Sequence, residues 1–150
     1  MKIAVAAAVL AAAFAASVHA ADTLQVQGAT SAMYMLKPHA EGIRAASGAE
    51  LTVDPVGAGH AMLDLIDGRT QVAVITSSLA DAVAAARVIA WTEERRLLLV
   101  NTTLVYREVP NLDPNGRPLA FVTTGEPSPQ LLHVINYLGA RSAARMAINR

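Results

Sequence analysis

Short apolar runs alternate along the chain with segments in which apolar residues recur every three or four positions. The runs at 24–28 ("LQVQG"), 50–56 ("ELTVDPV") and 71–76 ("QVAVIT") predict three strands. The third run is almost continuously apolar, which is typical of a parallel strand buried on both faces. Because segments of helical spacing separate these runs, the pattern predicts an α/β fold.

Helix-capping and helix-breaking residues punctuate the segments of helical spacing. Thr30 or Ser31 is expected to cap the first helix, and Pro38 should kink that helix or shift its start. A short helix is expected between Gly59 and Gly68, and an alanine-rich helix over 79–90. Each of these helices follows a predicted strand, as in a sheet built from strand–helix units.

Two more apolar stretches lie in the second half of the chain. The run at 95–106 ("RRLLLVNTTLVY") predicts one strand or two, and the run at 117–125 ("RPLAFVTTG") predicts another. Between them, residues 107–118 ("REVPNLDPNGRP") are rich in Pro, Asn, Asp and Gly and are typical of a linker. The full order predicts a mainly parallel sheet flanked by helices.

The C-terminal segment carries clear helix boundaries. Ser128 is expected as N-cap, Pro129 as the first helical residue, and Gly139 as the residue just beyond the end. A last short helix is then expected over 141–148.

The N-terminus has the pattern of a secretory signal peptide. Lys2 precedes an apolar run over 3–16, and small residues follow up to Ala20. This predicts a cleaved signal peptide over residues 1–20, export to the periplasm, and a single domain over 21–150. An uncleaved N-terminal membrane anchor is the alternative, although the run is short for a membrane span.

Composition narrows the function classes. Twelve basic residues balance twelve acidic ones, so nothing indicates nucleic acid or an anionic membrane surface as partner. The chain contains no cysteine, which excludes disulfides, thiolate metal sites and thiol catalysis. It also lacks the Gly-x-Ser-x-Gly turn of serine hydrolases.

Small and hydroxyl-bearing residues follow each of the first three predicted strands. These junctions are 28–31 ("GATS"), 57–60 ("GAGH") and 76–78 ("TSS"). In an open parallel sheet, ligands bind outside the carboxyl ends of the strands, where loops lead into helix N-termini. The three junctions could thus converge into a cradle of neutral donors for a small anion, although each residue could equally be an ordinary helix cap or turn former.

Three segments carry a resemblance to a known family. Residues 24–43 ("LQVQGATSAMYMLKPHAEGI"), 53–82 ("VDPVGAGHAMLDLIDGRTQVAVITSSLADA") and 117–148 ("RPLAFVTTGEPSPQLLHVINYLGARSAARMAI") resemble the opening and closing parts of the phosphate-type periplasmic substrate-binding proteins of ABC importers. The resemblance implies one lobe of the type 2 periplasmic-binding-protein fold. It places the oxyanion-binding positions of that family on Ala29, Thr30, Ser31, Gly57, Ala58, Gly59, Thr76, Ser77 and Ser78.

The resemblance implies a function as well as a fold. It implies an exported protein that captures phosphate or a related oxyanion without catalysis or cofactor, and that delivers the anion to the membrane component of an importer. Hydroxyl groups would donate from Thr30, Ser31, Ser77 and Ser78, while Gly57 and Gly59 would give access to the backbone.

Two departures from the family pattern bear on specificity and affinity. The family usually has a charged residue after the paired serines, whereas this chain has Leu79. The chain also passes from the run at 95–106 to that at 117–125 without room for a second lobe. Strong capture would therefore require two chains to pair across the open face.

Two other hypotheses stay open. A shortened, non-transporting relative could act as an interaction or scaffold protein, which exposed apolar surface at the position of the missing lobe would favour. A metal site is the other, since His60, Asp64 and Asp67 lie at i, i+4 and i+7 of a predicted helix, although a solvated polar face is the simpler interpretation. Residues 93–96 ("EERR") are expected to form an exposed helix end, and Trp91 to be a packing residue.

Overall fold

The structure is a computed structural model. It describes residues 22–96 and 102–148, and side chains throughout these ranges except at positions 146 and 148. The predicted signal peptide lies outside the described residues, as does the middle of the apolar run at 95–106.

Five strands form a single sheet in the described part of the chain. The spatial order of the strands is β2-β1-β3-β5-β4. Their bounds are β1 (Asp22–Gly28), β2 (Ala49–Asp54), β3 (Ala73–Ile75), β4 (Val105–Val109) and β5 (Leu119–Thr123).

Four of the five strands point in the same direction. β1 pairs in parallel with β2 and with β3, whereas β5 runs antiparallel to both β3 and β4. β4 therefore has the direction of β1, β2 and β3, and the carboxyl ends of these four strands lie along one side of the sheet, called the carboxyl edge below. The predicted α/β fold with a mainly parallel sheet is confirmed, and the sheet is mixed because β5 is reversed.

Five α-helices lie between or after the strands within the described ranges. Their bounds are α1 (Thr30–Leu36), α2 (Ala40–Ser47), α3 (Ala58–Ile66), α4 (Leu79–Thr92) and α5 (Pro129–Ile148). A 3₁₀ turn, Lys37–His39, separates α1 from α2 and contains Pro38. The expected kink at Pro38 is therefore a break between two helices, since proline cannot donate a helical hydrogen bond.

The helices cover both faces of the sheet and give it two cores. Val74 and Phe121 belong to a first cluster with side chains of α1, α2 and α5. Ala73 and Ile75, the neighbours of Val74 in β3, face a second cluster with α3 and α4. Successive residues of a strand point to opposite faces, so a strand covered on both faces must be continuously apolar. This explains the apolar run at 71–76.

The C-terminal helix begins at the predicted residue, but it extends beyond its predicted end. Ser128 Oγ accepts a hydrogen bond of 3.2 Å from the backbone N–H of Leu131, as an N-cap does. The expected end at Gly139 is wrong, because α5 continues through this residue to Ile148. Buried Leu138 and Ser142 on either side hold the helix on the core, so tertiary packing overrides the low helix propensity of glycine.

No helix in the described ranges is long and apolar enough to cross a bilayer.

Candidate functional site

The three small-residue junctions lie side by side at the carboxyl edge. They follow β2, β1 and β3, which are neighbours in the sheet. The backbone N–H of Gly57 donates to the carbonyl oxygen of Gly28 at 3.1 Å, and that of Ala29 donates to Val74 at 3.1 Å. The first junction is thus bonded to the second junction and to the third strand. The convergence expected from the strand order is present in the structure.

A direct side-chain bond joins the first and third junctions. Ser31 Oγ lies 2.7 Å from Thr76 Oγ1, and both residues are half-buried. Each hydroxyl can act as donor or acceptor, so one of the two keeps a proton to donate elsewhere. The two hydroxyls therefore form a fixed pair between the loops.

Some hydroxyl residues of the junctions cap a helix, and others do not. Neither Thr30 nor Ser31 caps α1, since the N-cap is Ala29, and the prediction of a hydroxyl cap there is wrong. Ser78 is the N-cap of α4, and its Oγ accepts from the backbone N–H of Asp81 at 3.1 Å. Ser77 Oγ donates to the Ser78 carbonyl at 3.2 Å. Ser31, Thr76 and Ser77 are therefore the half-buried hydroxyl residues of the junctions that do not cap a helix.

The two positions of the second junction that carry glycine require it for different structural reasons. Gly57 has φ +91°, in the region that favours glycine, and its carbonyl accepts from the Ala61 N–H at 2.9 Å as α3 begins. Gly59 is buried, and a Cβ there would lie 2.5 Å from Cδ1 of Ile89 on α4. The close approach of α3 to α4 thus requires glycine at position 59, whether or not a ligand approaches the backbone.

Backbone N–H groups remain available at the carboxyl edge. The first turn of any α-helix leaves amides without an intrahelical acceptor. Within the described ranges, no backbone acceptor pairs with the following amides at the starts of α1, α3 and α4: Thr30, Ser31, Ala58, Gly59, His60, Leu79 and Ala80. The junctions can therefore offer both amide and hydroxyl donors.

The junctions themselves carry little charge. No acidic residue lies in the first turn of α1 or α3, and Asp81 lies in the first turn of α4. Leu79 packs against the second core cluster. Recognition here would depend on neutral donors, which favour an anion but select weakly among anions of similar shape.

The connection between β4 and β5 also lies at the carboxyl edge, and sequence reasoning treated it only as a linker. Its first part is in fact strand, because Arg107–Val109 belong to β4. Of the remaining residues, 112–115 and Arg117 border a cavity of about 460 Å³ that is also lined by Ser31. We call this the connection cavity. Sequence reasoning had no signal for this cavity, because only the direction of β4 places residue 110 at this edge.

The polar residues of α3 are paired with the end of α4 and do not form a metal site. Arg95 donates to Asp64 Oδ1 at 3.1 Å and to Asp67 Oδ2 at 2.6 Å, while His60 Nε2 lies 3.0 Å from Glu93 Oε1. No cluster of ligating side chains suited to a metal occurs among the described residues. The expectation of an exposed end at 93–96 is wrong for Arg95, whose side chain is only 19% exposed.

These pairs shift the ionisation of their members. The hydrogen bond with His60, assisted by Arg95, lowers the pKa of Glu93. Hydrogen bonds with Asp64 and Asp67 raise the pKa of Arg95 further above its usual value. The network therefore keeps these charges in place and fastens the end of α4 to α3.

No protein-family model and no curated protein matches the chain. Among solved structures, the chain is similar to one described as "a possible phosphate binding protein" from Planctomyces limnophilus DSM 3776, with 16% identity and a TM-score of 0.40 over 61% of this chain. It is also similar to the tungstate-binding protein TupA from Desulfovibrio alaskensis G20, with 22% identity and a TM-score of 0.35 over 64% of this chain. The chain spans 29% and 38% of the lengths of these two proteins.

Proposed function

We propose that the protein reversibly captures phosphate or a related oxyanion at the carboxyl edge, without catalysis. The observation that carries the proposal is the hydrogen bond between Ser31 and Thr76, since it joins two loops into one polar surface. Backbone amides at the starts of α3 and α4 point their partial positive charge toward the same edge. The match of the junctions to the oxyanion-binding positions of the resembled family supports the same proposal.

Hydroxyl and amide donors suit an oxyanion for a simple physical reason. An anion leaves water only where several donors replace its lost hydration. Hydrogen bonds to a charged acceptor are about twice as strong as those between neutral groups. The site is open on one side, so we expect weak binding by one chain and stronger binding if two chains enclose the anion.

The cellular role follows from the same proposal. The apolar pattern of residues 1–20 favours export by a cleaved signal peptide. A periplasmic oxyanion-binding protein would deliver its ligand to the membrane component of an ABC importer. Both the export and this partner are part of what we propose.

The scaffold hypothesis needs exposed apolar surface beside the carboxyl edge. Val88 and Trp91 are exposed large apolar residues, with Trp91 86% exposed, so the expectation that Trp91 is a packing residue is wrong. Both lie in the C-terminal half of α4, which packs against the start of α3, since a Cβ at Gly59 would meet Ile89. The scaffold hypothesis therefore stays the alternative to oxyanion capture.

Thermal unfolding with and without anions tests the proposal. The purified chain would be heated in the presence of phosphate, sulfate or molybdate at constant ionic strength. A ligand that binds only the folded state at ten times its Kd adds about 1.4 kcal/mol of stability, which raises the Tm by a few degrees. Ser77→Ala should reduce the shift, while Thr23→Ala, which removes an exposed hydroxyl at the start of β1 and therefore at the opposite edge of the sheet, should leave it intact.

The outcomes separate the two classes of function. A shift with at least one oxyanion that Ser77→Ala reduces and Thr23→Ala preserves would support capture at the junctions. The absence of a shift with every anion would refute oxyanion capture and leave the scaffold hypothesis. A shift that is identical in all three proteins would place binding away from the junctions.

A further inference from the structure

The connection cavity differs in character from the three junctions that it adjoins. Its volume is about 460 Å³, whereas one liquid water takes about 30 Å³ and a tetrahedral oxyanion the space of only a few waters. Cavities of several hundred Å³ with mostly apolar walls and a few polar groups are typical of sites for small organic molecules. The cavity is therefore much larger than an inorganic anion requires.

Part of the cavity lining is apolar. Tyr34 and Met35 of α1, Pro38 of the 3₁₀ turn and Leu112 of the β4–β5 connection line it. Tyr34 is 65% exposed, which is unusual for a large aromatic side chain that serves only packing. An aromatic or aliphatic group of a ligand could cover this ring and leave water.

Another part of the lining carries positive charge. Arg117 and Arg145 line the cavity together with Ser31. Arg145 donates to the Leu112 carbonyl at 3.1 Å, which holds the connection in place. No hydrogen bond or ion pair engages the guanidinium of Arg117 within the described ranges, so its donors remain available for an anionic group.

The one acidic residue that lines the cavity, Asp113, already accepts hydrogen bonds from its own loop. Asp113 accepts from the backbone N–H groups of Asn115 and Arg117, each at 3.3 Å. This carboxylate therefore stabilises the turn that presents Arg117. His39 also lines the cavity, and burial together with Arg141 lowers its pKa, which favours its neutral form. The charged side chains of the cavity, two guanidinium groups and one carboxylate, leave a net positive charge.

We propose that the connection cavity binds the organic part of a phosphate monoester, whose phosphoryl group lies between Ser31 and Arg117. The inference rests on the proposed function, since Ser31 belongs both to the cavity and to the junctions. It assigns to the β4–β5 connection the charged contact that a second lobe would otherwise supply. The substrate class is thus a small organic phosphate with an aryl or short alkyl group.

Calorimetric titration with phenyl phosphate, inorganic phosphate and phenol tests this assignment. Phenyl phosphate should bind at least about tenfold more tightly than inorganic phosphate, the gain expected when roughly half of an aromatic ring leaves water. Phenol should bind far more weakly than phenyl phosphate, because it lacks the anionic group.

Three variants locate the two parts of the ligand. Tyr34→Ala should remove most of the advantage of phenyl phosphate and leave the affinity for inorganic phosphate unchanged. Arg117→Gln should weaken phenyl phosphate about tenfold, the loss expected for one charge-assisted contact. Arg87→Gln, on the exposed side of α4, is the matched arginine control and should change neither affinity. All three positions lie on the surface or in the connection, so folding should persist.

The failure of this inference is distinguishable from that of the proposed function. Equal affinities for phenyl phosphate and inorganic phosphate would overturn the inference while oxyanion capture stands. Preference for phenyl phosphate that survives Tyr34→Ala, or phenol that binds as tightly as phenyl phosphate, would also overturn it. Binding of phenyl phosphate that depends on Tyr34 and Arg117 but not on Ser77 would support the cavity and restrict the contribution of the junctions to Ser31. No binding of either phosphate would overturn both.

Discussion

Ser31 Oγ and Thr76 Oγ1 lie 2.7 Å apart, although 45 positions separate the two residues in the chain. The parallel pairing of β1 with β3 brings their junctions together, and the bond then fixes one loop against the other. Because the two hydroxyls satisfy each other, the polar groups are positioned before any ligand arrives. Such pre-organisation lowers the entropic cost of binding.

Removal of one hydroxyl of this pair should affect both stability and anion binding. Ser31→Ala leaves the half-buried Thr76 hydroxyl without its partner and should reduce the free energy of unfolding by about 1 kcal/mol. It should also diminish the anion-dependent rise in Tm, since a donor and the loop geometry are both lost. Chemical denaturation measures the first effect, and thermal unfolding with and without phosphate the second.

Thr76→Ser is the conservative partner of that variant. It retains the hydroxyl and removes only a methyl group, so the anion-dependent rise in Tm should remain close to that of the original protein. If Thr76→Ser loses the anion response as fully as Ser31→Ala does, the methyl group and not the hydroxyl pair would be responsible.

Gly59→Ala should destabilise the fold through a steric clash between helices. The new Cβ would lie 2.5 Å from Ile89 Cδ1 and 3.1 Å from Ala85 Cβ, and overpacking of this kind costs about 1–3 kcal/mol. Ile89→Val removes the nearest atom, so the double variant should lose less stability than the sum of the two single variants. Urea denaturation of the two single variants and the double variant measures these losses. Strictly additive losses would show that the clash with Ile89 is absent.

Gly139→Ala should stabilise the fold, in contrast to Gly59→Ala. Gly139 lies within α5, and a Cβ there would meet no atom within 4 Å. Alanine is favoured over glycine inside a helix by about 0.5–1 kcal/mol, so the free energy of unfolding should rise by that amount. A loss of stability would instead indicate that the helix ends at this glycine, as the sequence pattern suggested.

The contrast between these glycines shows where sequence reasoning succeeds and fails. Local patterns identified β1, α3 and the Ser128 cap because period, capping chemistry and burial agree there. They failed at Gly139, where the apolar contacts of α5 outweigh a local stop signal, and at Gly59, whose requirement comes from Ile89 on another helix. Contacts between distant segments leave no local trace in one sequence.

The candidate site also has features that the sequence could predict and features that it could not. The three junctions could be predicted because strand order places the carboxyl ends of successive parallel strands at one edge. The Ser31–Thr76 bond and the role of Arg95 could not, because each depends on the register between elements. The connection cavity escaped as well, since it requires the direction of β4.

Arg95 should contribute to stability in a salt-dependent way. Arg95→Leu would leave Asp64, Asp67 and Glu93 without their shared cation, so the Tm should fall. The fall should be larger at about 20 mM salt than at about 500 mM, because added salt screens the repulsion among the carboxylates. Arg96→Leu, at the neighbouring exposed arginine, is the control and should change the Tm little. Equal losses for the two variants would contradict a specific role for Arg95.

His39 should make stability depend on pH near neutrality. Burial, and secondarily the charge of Arg141, lower the pKa of His39 below its ordinary value of 6.5. The unfolded chain therefore binds a proton more readily than the folded protein does, and the stability that His39 contributes is present above about pH 6.5 and is lost as the pH falls through the folded-state pKa.

The predicted loss of stability at lower pH can be tested by comparing variants. From about pH 7.5 to about pH 5.5, a window above the carboxylate pKa values, the original protein should lose stability and His39→Gln should lose less. Arg141→Gln should retain most of the loss, because burial and not charge is the larger cause. Urea denaturation at the two pH values measures these differences. An unchanged pH dependence in His39→Gln would show that another group titrates, and abolition by Arg141→Gln alone would make the charge the dominant cause.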